Sequence, residues 1–140
     1  MQPEQEKCVI VLDETLPLGV LANTAAILGV TLGKHIPQAV GPDVTDNSGR
    51  AHLGIIQLPV PILKASKETI QQLRRRLYTP EYAALTAVDF SDVAQRCNVY
   101  ADYEANAAQT DESAFCYFGV AVCGAKKLVN KLTGSLPLLR

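Results

Sequence analysis

The sequence is poor in several residue types that mark specialised classes of protein. Its 140 residues include no tryptophan, one methionine, two histidines and 6% aromatic residues. The four cysteines are too few and too scattered for the disulfide framework of a small secreted domain. Because free cysteine commonly behaves as a small core hydrophobe, we expect all four to be buried thiols. They are Cys8, Cys97, Cys116 and Cys123.

The sequence also lacks an excess of charge of one sign and a long uninterrupted apolar run. Thirteen Lys and Arg residues oppose 14 Asp and Glu residues, which excludes a strongly basic nucleic-acid-binding module. The longest mainly apolar stretch, 16–32, contains proline, glycine, asparagine and threonine, so no membrane span is expected. The first six residues are polar and acidic, unlike a signal peptide. We therefore predict a cytoplasmic protein with one soluble domain over residues 1–140, since 48% apolar residues suffice for a core.

The apolar pattern alternates between strand-like and helix-like segments. Short apolar runs predict four strands, at 7–12, 60–65, 82–90 and 114–122. Helical spacing predicts helices at 16–33, from 67 to about 78, at 92–108 and from 125 to 133, with Thr15, Ser66 and Ser91 as N-caps. This alternation predicts a three-layer α/β fold, in which helices cover a mostly parallel or mixed sheet.

Residues 34–57 lose the helical period and carry several turn residues. We expect an irregular excursion that contains a hairpin and serves as a lid, a dimer arm or an extra hairpin.

The balanced charges are arranged in blocks along the sequence. Residues 64–76 carry five positive charges and one negative, residues 81–112 carry seven negative and one positive, and residues 113–140 carry four positive and none negative. The blocks indicate either solvated helix faces or a basic surface that binds phosphate or nucleic acid. The second interpretation requires Arg74–Arg76 to lie beside Lys126, Lys127 and Lys131.

Established catalytic and cofactor motifs are absent from the sequence. It has no phosphate-binding loop, no Gly-x-Gly-x-x-Gly and no Gly-x-Ser-x-Gly segment. His35 and His52 lack the spacing of a zinc site, and Cys97 and Cys116 are expected inside a helix and a strand, where burial raises a thiol pKa. We therefore predict no metal, no cofactor and no identifiable catalytic residue.

Ligands in open α/β sheets bind beyond the C-terminal ends of strands. Polar residues that follow the predicted strands are therefore candidates for ligand binding. The candidates are Asp13, Glu14, Thr15, Asn23, Gly124 and Lys126. The two carboxylates can act as a base or cation ligand, or simply end a strand. Gly124 and Lys126 can offer backbone N–H groups and an ammonium to an anion, or form an ordinary helix start. Asn23 can orient a ligand amide or form a partly buried polar pair with Thr24.

Two segments resemble the type II peptidyl-tRNA hydrolase superfamily and, within it, the branch named domain of unknown function 2000. They are the opening 7–13 with the Gly/Ala-rich helix after it, and the ending 124–136, which contains Lys131-Leu132-Thr133-Gly134. The resemblance implies a peptidyl-tRNA hydrolase type II-like fold, with a four-stranded mixed sheet flanked by helices, often in a homodimer.

The resemblance does not extend to the residues that carry the hydrolase activity. Those enzymes begin the first helix with a Gly-Lys-Gly-Lys type segment whose lysine is essential, whereas this sequence has Leu18-Gly19-Val20-Leu21. The Asp-Ala-Gly-Arg-Thr type segment before the last strand is also missing. Hydrolysis of peptidyl-tRNA by the family mechanism is therefore not expected.

Two functional hypotheses follow. The first is a homodimer that binds a small ligand, for example a small anion, and does not bind nucleic acid. The second is a divergent hydrolase or transferase that acts on an RNA-linked or small ester substrate through Asp13, Asn23 and Lys126. Convergence of these three residues on one pocket is the geometry that the second hypothesis requires.

Overall fold

A computed structural model describes residues 2–140 of the protein. The strands are β1 (Glu6–Asp13), β2 (Val44–Thr45), β3 (Ala51–His52), β4 (Ile62–Ala65), β5 (Thr86–Ser91) and β6 (Tyr117–Ala125). The helices are α1 (Leu18–His35), α2 (Lys67–Leu77), α3 (Asp92–Gln95), α4 (Tyr100–Ala108) and α5 (Lys126–Thr133). None of these helices is long and apolar enough to cross a membrane.

Four strands form one mixed sheet in the order β4-β1-β6-β5. β1 pairs in parallel with β4, whereas β6 runs antiparallel to both β1 and β5. The predicted α/β class with a four-stranded mixed sheet is thus confirmed. Because β6 alone is reversed, the C-terminal ends of β1, β4 and β5 share one end of the sheet and β6 finishes at the other.

The sheet carries apolar side chains on both faces, and each face is covered by helices. Ile10 and Leu12 of β1 pack with α1, whereas Val9 and Val11 pack with α2 and α5 on the opposite face. The alternation follows from the two-residue period of a strand, and the unbroken apolar run of β1 is what burial on both faces requires. The three-layer arrangement agrees with the sequence pattern.

The first helix begins and ends two residues later than predicted. Thr15 does not cap it, because the Asp13 Oδ1 atom accepts hydrogen bonds from the Thr15 N–H and hydroxyl at 2.9 and 2.7 Å. Pro17 holds the N-cap position instead, and the helix continues through Gly33 to His35. The bond within 13–15 forms a compact turn of the Asx type at the exit of β1.

The predicted long helix over 92–108 is wrong. The structure has two helices, α3 and α4, separated by residues 96–99. Ser91 occupies the N-cap position of α3 but makes no capping bond, and its buried hydroxyl lacks a partner among the described residues. The Asp92 carboxylate instead accepts a hydrogen bond from the Cys116 N–H at 2.9 Å, which ties α3 to the segment before β6. The short α3 is thereby fixed, and the chain turns before α4 begins.

Two predicted strands also start too early. Residues 80–82 form a single 3-10 turn before β5, in which Tyr82 is buried and its hydroxyl accepts a hydrogen bond from Arg76 at 2.9 Å. Residues 112–114 form a similar turn before β6. Tyr82, Leu85 and Phe115 pack against the core from these segments without strand pairing, whereas the alanines next to them are exposed.

The excursion after α1 contains the predicted hairpin. β2 and β3 pair antiparallel, and a bridge between Val40 and Ile56 closes the base of the hairpin. Asp46 organises the turn: its carboxylate accepts backbone bonds from Ser48 and Arg50 and lies 2.7 Å from His52 Nε2. The hydrogen bond to His52 is the main cause that lowers the pKa of Asp46.

The prediction of four free thiols is half wrong. Cys8 and Cys123 face each other on β1 and β6, with their Cα atoms 4.1 Å apart, and form a disulfide. Both side chains are buried, as expected. Cys97 and Cys116 are free and half-buried, but they lie in the segments before α4 and β6 rather than inside a helix and a strand.

The two edges of the sheet differ in how they are covered. The C-terminal segment lies along β4, where the Lys64 N–H donates to Pro137 and the Leu139 N–H donates to Ile62, each at 2.9 Å. β5 forms the opposite edge and has no second strand partner within residues 2–140. The open edge of the sheet is therefore that of β5.

The acidic block of the sequence lies against both basic blocks. Three ion pairs connect them, Arg74 with Asp89, Arg75 with Glu112, and Lys131 with Glu81. Acidic partners thus neutralise part of each basic block, which weakens the case for a basic nucleic-acid-binding surface.

Candidate ligand-binding cleft

The candidate residues after β1 lie together in one turn. The Asp13 side chain is 2% exposed, and the bonds to Thr15 occupy its Oδ1 atom. Glu14 and Thr15 are exposed, and the Glu14 N–H donates to the Ala65 carbonyl at the end of β4. This geometry gives Asp13 a role in shaping the turn.

Asn23 points into solvent, whereas its neighbour Thr24 is fully buried. The Thr24 hydroxyl has no hydrogen-bond partner within the described part of the chain. The two residues therefore do not form the partly buried polar pair that the sequence suggested, because they lie on different sides of α1.

The structure separates Asp13 from Lys126, so the convergence that the second hypothesis requires is not found for these two residues. In the register of β1 with β6, Gly124 lies opposite Lys7 and Ala125 lies opposite Glu6, at the start of β1. Asp13 lies seven residues after Glu6 on β1, which corresponds to a distance of about 20 Å between these two residues. Lys126 instead lines a shallow pocket of about 380 Å³ with Lys7 and several prolines. The reversed direction of β6 explains the separation.

A larger cleft, of about 500 Å³, lies beside the open edge of the sheet. Its walls come from α1, β5, α3, α4 and the segment that joins the last two helices. The lining residues are Ile27, Thr31, Val88, Asp89, Phe90, Ala94, Cys97, Asn98, Val99, Tyr100 and Tyr103. Since three consecutive residues of β5 contribute, the cleft faces the edge of that strand and not one face alone.

The floor of the cleft is apolar and continuous with the core. Ile27, Val88, Phe90 and Ala94 belong to the apolar cluster between α1 and the sheet. The mouth is formed by α4, none of whose residues is buried and whose Tyr100 side chain is 72% exposed. The result is a cavity with a fixed floor and a solvent-exposed aromatic wall.

Asp89 lines the cleft at the edge of the sheet, and its side chain projects to the α2 face, opposite to the side chains of Val88 and Phe90. Asp89 Oδ2 accepts a hydrogen bond from Arg74 Nε at 2.8 Å, and the two side chains are only 17% and 12% exposed. The Arg74 guanidinium also lies over the Tyr78 ring, 4.2 Å from its centre. Arg74 thus fixes the Asp89 carboxylate from the α2 side of the sheet, while Arg74 itself does not line the cleft.

Tyr103 is a further polar residue of the cleft. Burial is the main cause that raises the pKa of Tyr103, and the nearby Asp89 carboxylate raises it further. The hydroxyl is therefore neutral at physiological pH and can donate a hydrogen bond. Its ring meets that of Tyr100 edge to face, with the centres 5.5 Å apart.

Cys97 is a free thiol in the wall of the cleft. Its Sγ donates to the Val93 carbonyl at 3.2 Å and accepts a hydrogen bond from Asn106 at 3.3 Å. The second bond connects α4 to the preceding segment, so it helps to hold the mouth of the cleft in place.

Comparison with known families adds a classification. The family model described as protein of unknown function (DUF2000) matches residues 6–140. The chain belongs to the DUF2000 family. A solved structure of a protein of unknown function, Atu0240 from Agrobacterium tumefaciens strain C58, is similar to this DUF2000 protein in fold. It has a TM-score of 0.85 and 16% sequence identity, and the match covers 99% of this chain and 98% of that chain. A comparison with curated proteins found no match.

The cleft of this DUF2000 protein was only partly visible in its sequence. Asp89 follows an apolar run and so marks the end of a strand, but Cys97, Tyr100 and Tyr103 were assigned to the middle of one long helix. The cleft exists because that helix is broken at 96–99 and α4 is displaced from the sheet edge. The sequence Asn98-Val99, poor in helix propensity, is the signal that could have indicated the break.

Proposed function

We propose that this protein binds a small molecule in the cleft between α1, β5 and α4. The observation that carries the proposal is a cavity of about 500 Å³ with an apolar floor, tyrosine rings at its mouth and several polar side chains among its lining residues. Small-molecule sites have this composition and a volume of about 300–1,000 Å³. The proposal moves the ligand from the predicted residues around Asp13 to the edge of the sheet.

A neutral apolar dye, Nile red, tests whether the cleft accepts a ligand. Thr31→Trp introduces an indole into the cleft from α1, and we expect it to weaken Nile red binding at least about tenfold, because the ring occupies the volume that the dye requires. The measurement is the increase of dye fluorescence during titration with purified protein.

Gln72→Trp is the matched control for this experiment. Position 72 is exposed on α2, in the opposite helical layer, and does not line the cleft. It should leave dye binding unchanged. Equal binding to the wild type and to Thr31→Trp would contradict the proposal.

We also propose that the protein forms a homodimer through the outer face of α1. Leu18 and Val30 are 82% and 76% exposed on this helix, with the small residues Ala22, Ala26 and Gly29 exposed between them. No charged residue occurs between Leu18 and Gly33. An uncharged face with small residues near its centre is self-complementary, because two copies of the helix can approach closely around a two-fold axis.

The hairpin that follows α1 supports the same proposal. Leu53 and Ile55 are 83% and 79% exposed in this segment. A stable dimer buries about 1,200–2,000 Å² in total, more than one helix face supplies, and the apolar hairpin is a source of the remainder. The role of a dimer arm for residues 34–57 is part of this proposal.

Ala26→Glu is expected to convert the dimer to a monomer. The substitution places two carboxylates, one from each copy, close to the two-fold axis in an apolar contact. Sedimentation velocity at micromolar concentration measures the change. The control is Gln72→Glu, which adds the same charge at an exposed position of α2 and should remain dimeric. A wild-type protein that sediments as a monomer would refute the proposal.

The relationship to the type II peptidyl-tRNA hydrolases is proposed for the scaffold and not for the activity. It is supported by the order of strands and helices and by the ending Lys131-Leu132-Thr133-Gly134. The position of the essential lysine is occupied by the segment around Gly19, which carries no cation. Asp13 and Lys126 lie at opposite ends of β1, so the alternative of a divergent hydrolase or transferase lacks the joint site that it requires.

A further inference from the structure

We propose that the cleft selects an organic cation, a primary amine or amidine attached to an apolar or aromatic body. The inference rests on the proposed function, since it names the class of ligand for the same cleft. Three features support it: the sign of the charge in the cleft, the rings at its mouth, and the way in which Asp89 is held.

The charged residue that lines the cleft is an aspartate, which pairs with Arg74 from outside the cleft. Asp89 is the only residue charged at neutral pH among the described residues that line the cleft, and no lysine, arginine or histidine is among them. The helix at the mouth adds Asp102 and Glu104, both exposed. An anion entering this cleft would meet like charge, which disfavours the small anionic ligand expected from the sequence.

The rings at the mouth are suited to a cation. Tyr100 and Tyr103 lie one helical turn apart on α4, in edge-to-face contact, and both line the cleft. A cation over the face of such a ring is attracted by the negative charge of the ring face, and more strongly when it is shielded from water. The same structure already shows this interaction nearby, because Arg74 lies over the ring of Tyr78.

Asp89 is held so that part of its carboxylate remains available. Arg74 Nε contacts the Oδ2 atom, and no hydrogen bond to Oδ1 is made by the residues that the structure describes. Burial of both partners keeps water from competing strongly at this position. A ligand ammonium can therefore bond to the second oxygen while Tyr103 contacts it from the other side.

Two probes of similar size distinguish the contribution of the charged group to the affinity from that of the apolar contact. They are 2-phenylethylammonium and 3-phenylpropionate, which share the ring and differ in the sign of the charged group. We expect the wild-type protein to bind the amine at least about tenfold more tightly than the carboxylate in isothermal titration or ligand-observed NMR.

The variants then assign the selectivity to named groups. Asp89→Asn should weaken the amine about tenfold and leave Nile red unchanged, and Glu68→Gln, which removes a carboxylate at an exposed position of α2 outside the cleft, should change neither. Because Asp89→Asn also removes the partner of Arg74, Tyr103→Leu is the second variant. It keeps the ion pair, removes the ring and should reduce the preference for the amine.

The outcomes distinguish this inference from the proposed function. Equal affinities for the amine and the carboxylate, with Nile red still bound, would overturn the inference and leave the cleft as a binding site. A preference for the amine that survives in both Asp89→Asn and Tyr103→Leu would overturn it as well. Failure of all three probes to bind would refute both proposals.

Discussion

The Cys8→Ala, Cys123→Ala double variant is expected to lose about 2–5 kcal/mol of unfolding free energy. The disulfide joins the two central strands of the sheet across a sequence separation of 115 residues. A link over so long a loop removes much of the conformational freedom of the unfolded chain, and the chain-entropy model gives about 4.7 kcal/mol for a 100-residue loop. Loss of the buried sulfur atoms adds a smaller packing cost.

Guanidinium chloride unfolding, followed by circular dichroism, measures this effect. The wild type with reductant should unfold near the double variant, and reductant should not affect the double variant. Cys97→Ser with Cys116→Ser is the matched control, since both thiols are free and half-buried, and it should keep the sensitivity to reductant. Four reactive thiols in the unreduced, denatured wild type would contradict the assignment.

The disulfide also affects the predicted location of the protein. Structural disulfides are rare in the reducing cytosol and persist in oxidising compartments. The cytoplasmic location therefore remains a prediction, and the Cys8–Cys123 disulfide argues against it. Trapping of thiols during cell lysis, followed by mass analysis of the peptides that contain Cys8 and Cys123, would determine the state of the pair in the cell.

The parts of the fold that the sequence specifies are those with local causes. Residues 8–12 are all apolar, so the sequence itself predicts a strand that is buried on both faces. The turn residues around Asp46 and Gly49 likewise define a hairpin, because Asp46 satisfies the backbone of its own turn. Ser66 caps α2 as its position predicts, with a bond from the Thr69 N–H.

The errors concern non-local properties. The apolar period of 114–122 identifies a strand but carries no information about its direction. The direction of β6 determines at which end of the sheet Lys126 lies. Cys8 and Cys123 become neighbours only through the register of the two strands. The bond between Asp92 and Cys116 ties the start of α3 to the segment before β6, and neither residue indicates the other in the sequence.

Gly119→Ala is expected to destabilise the protein by about 1–3 kcal/mol, because it separates α1 from the sheet. A Cβ atom at this position would lie 2.7 Å from Leu12 Cδ2, 3.0 Å from Thr24 Cγ2 and 3.0 Å from the Val11 carbonyl oxygen. The two side chains have limited room in the core, and the carbonyl belongs to the β1 backbone, which cannot move without disturbing the central strand pair. Relief therefore requires an outward shift of the helix.

Gly29→Ala is the control with the opposite sign, and both variants are compared in the Ala26→Glu background, which removes the proposed dimer contact around Gly29. A Cβ atom at Gly29, within α1, meets nothing closer than 4 Å, and alanine in a helix interior is favoured over glycine by about 0.5–1 kcal/mol. The two variants thus add the same methyl group on the sheet beneath α1 and on the exposed side of α1 itself, with loss expected at the first position and gain at the second. Urea unfolding midpoints, compared at equal slope, measure the difference. If Gly119→Ala matched its Ala26→Glu parent, α1 would not pack on β6 at the distance that the structure shows, and the floor of the cleft, which α1 supplies through Ile27, would be displaced with it.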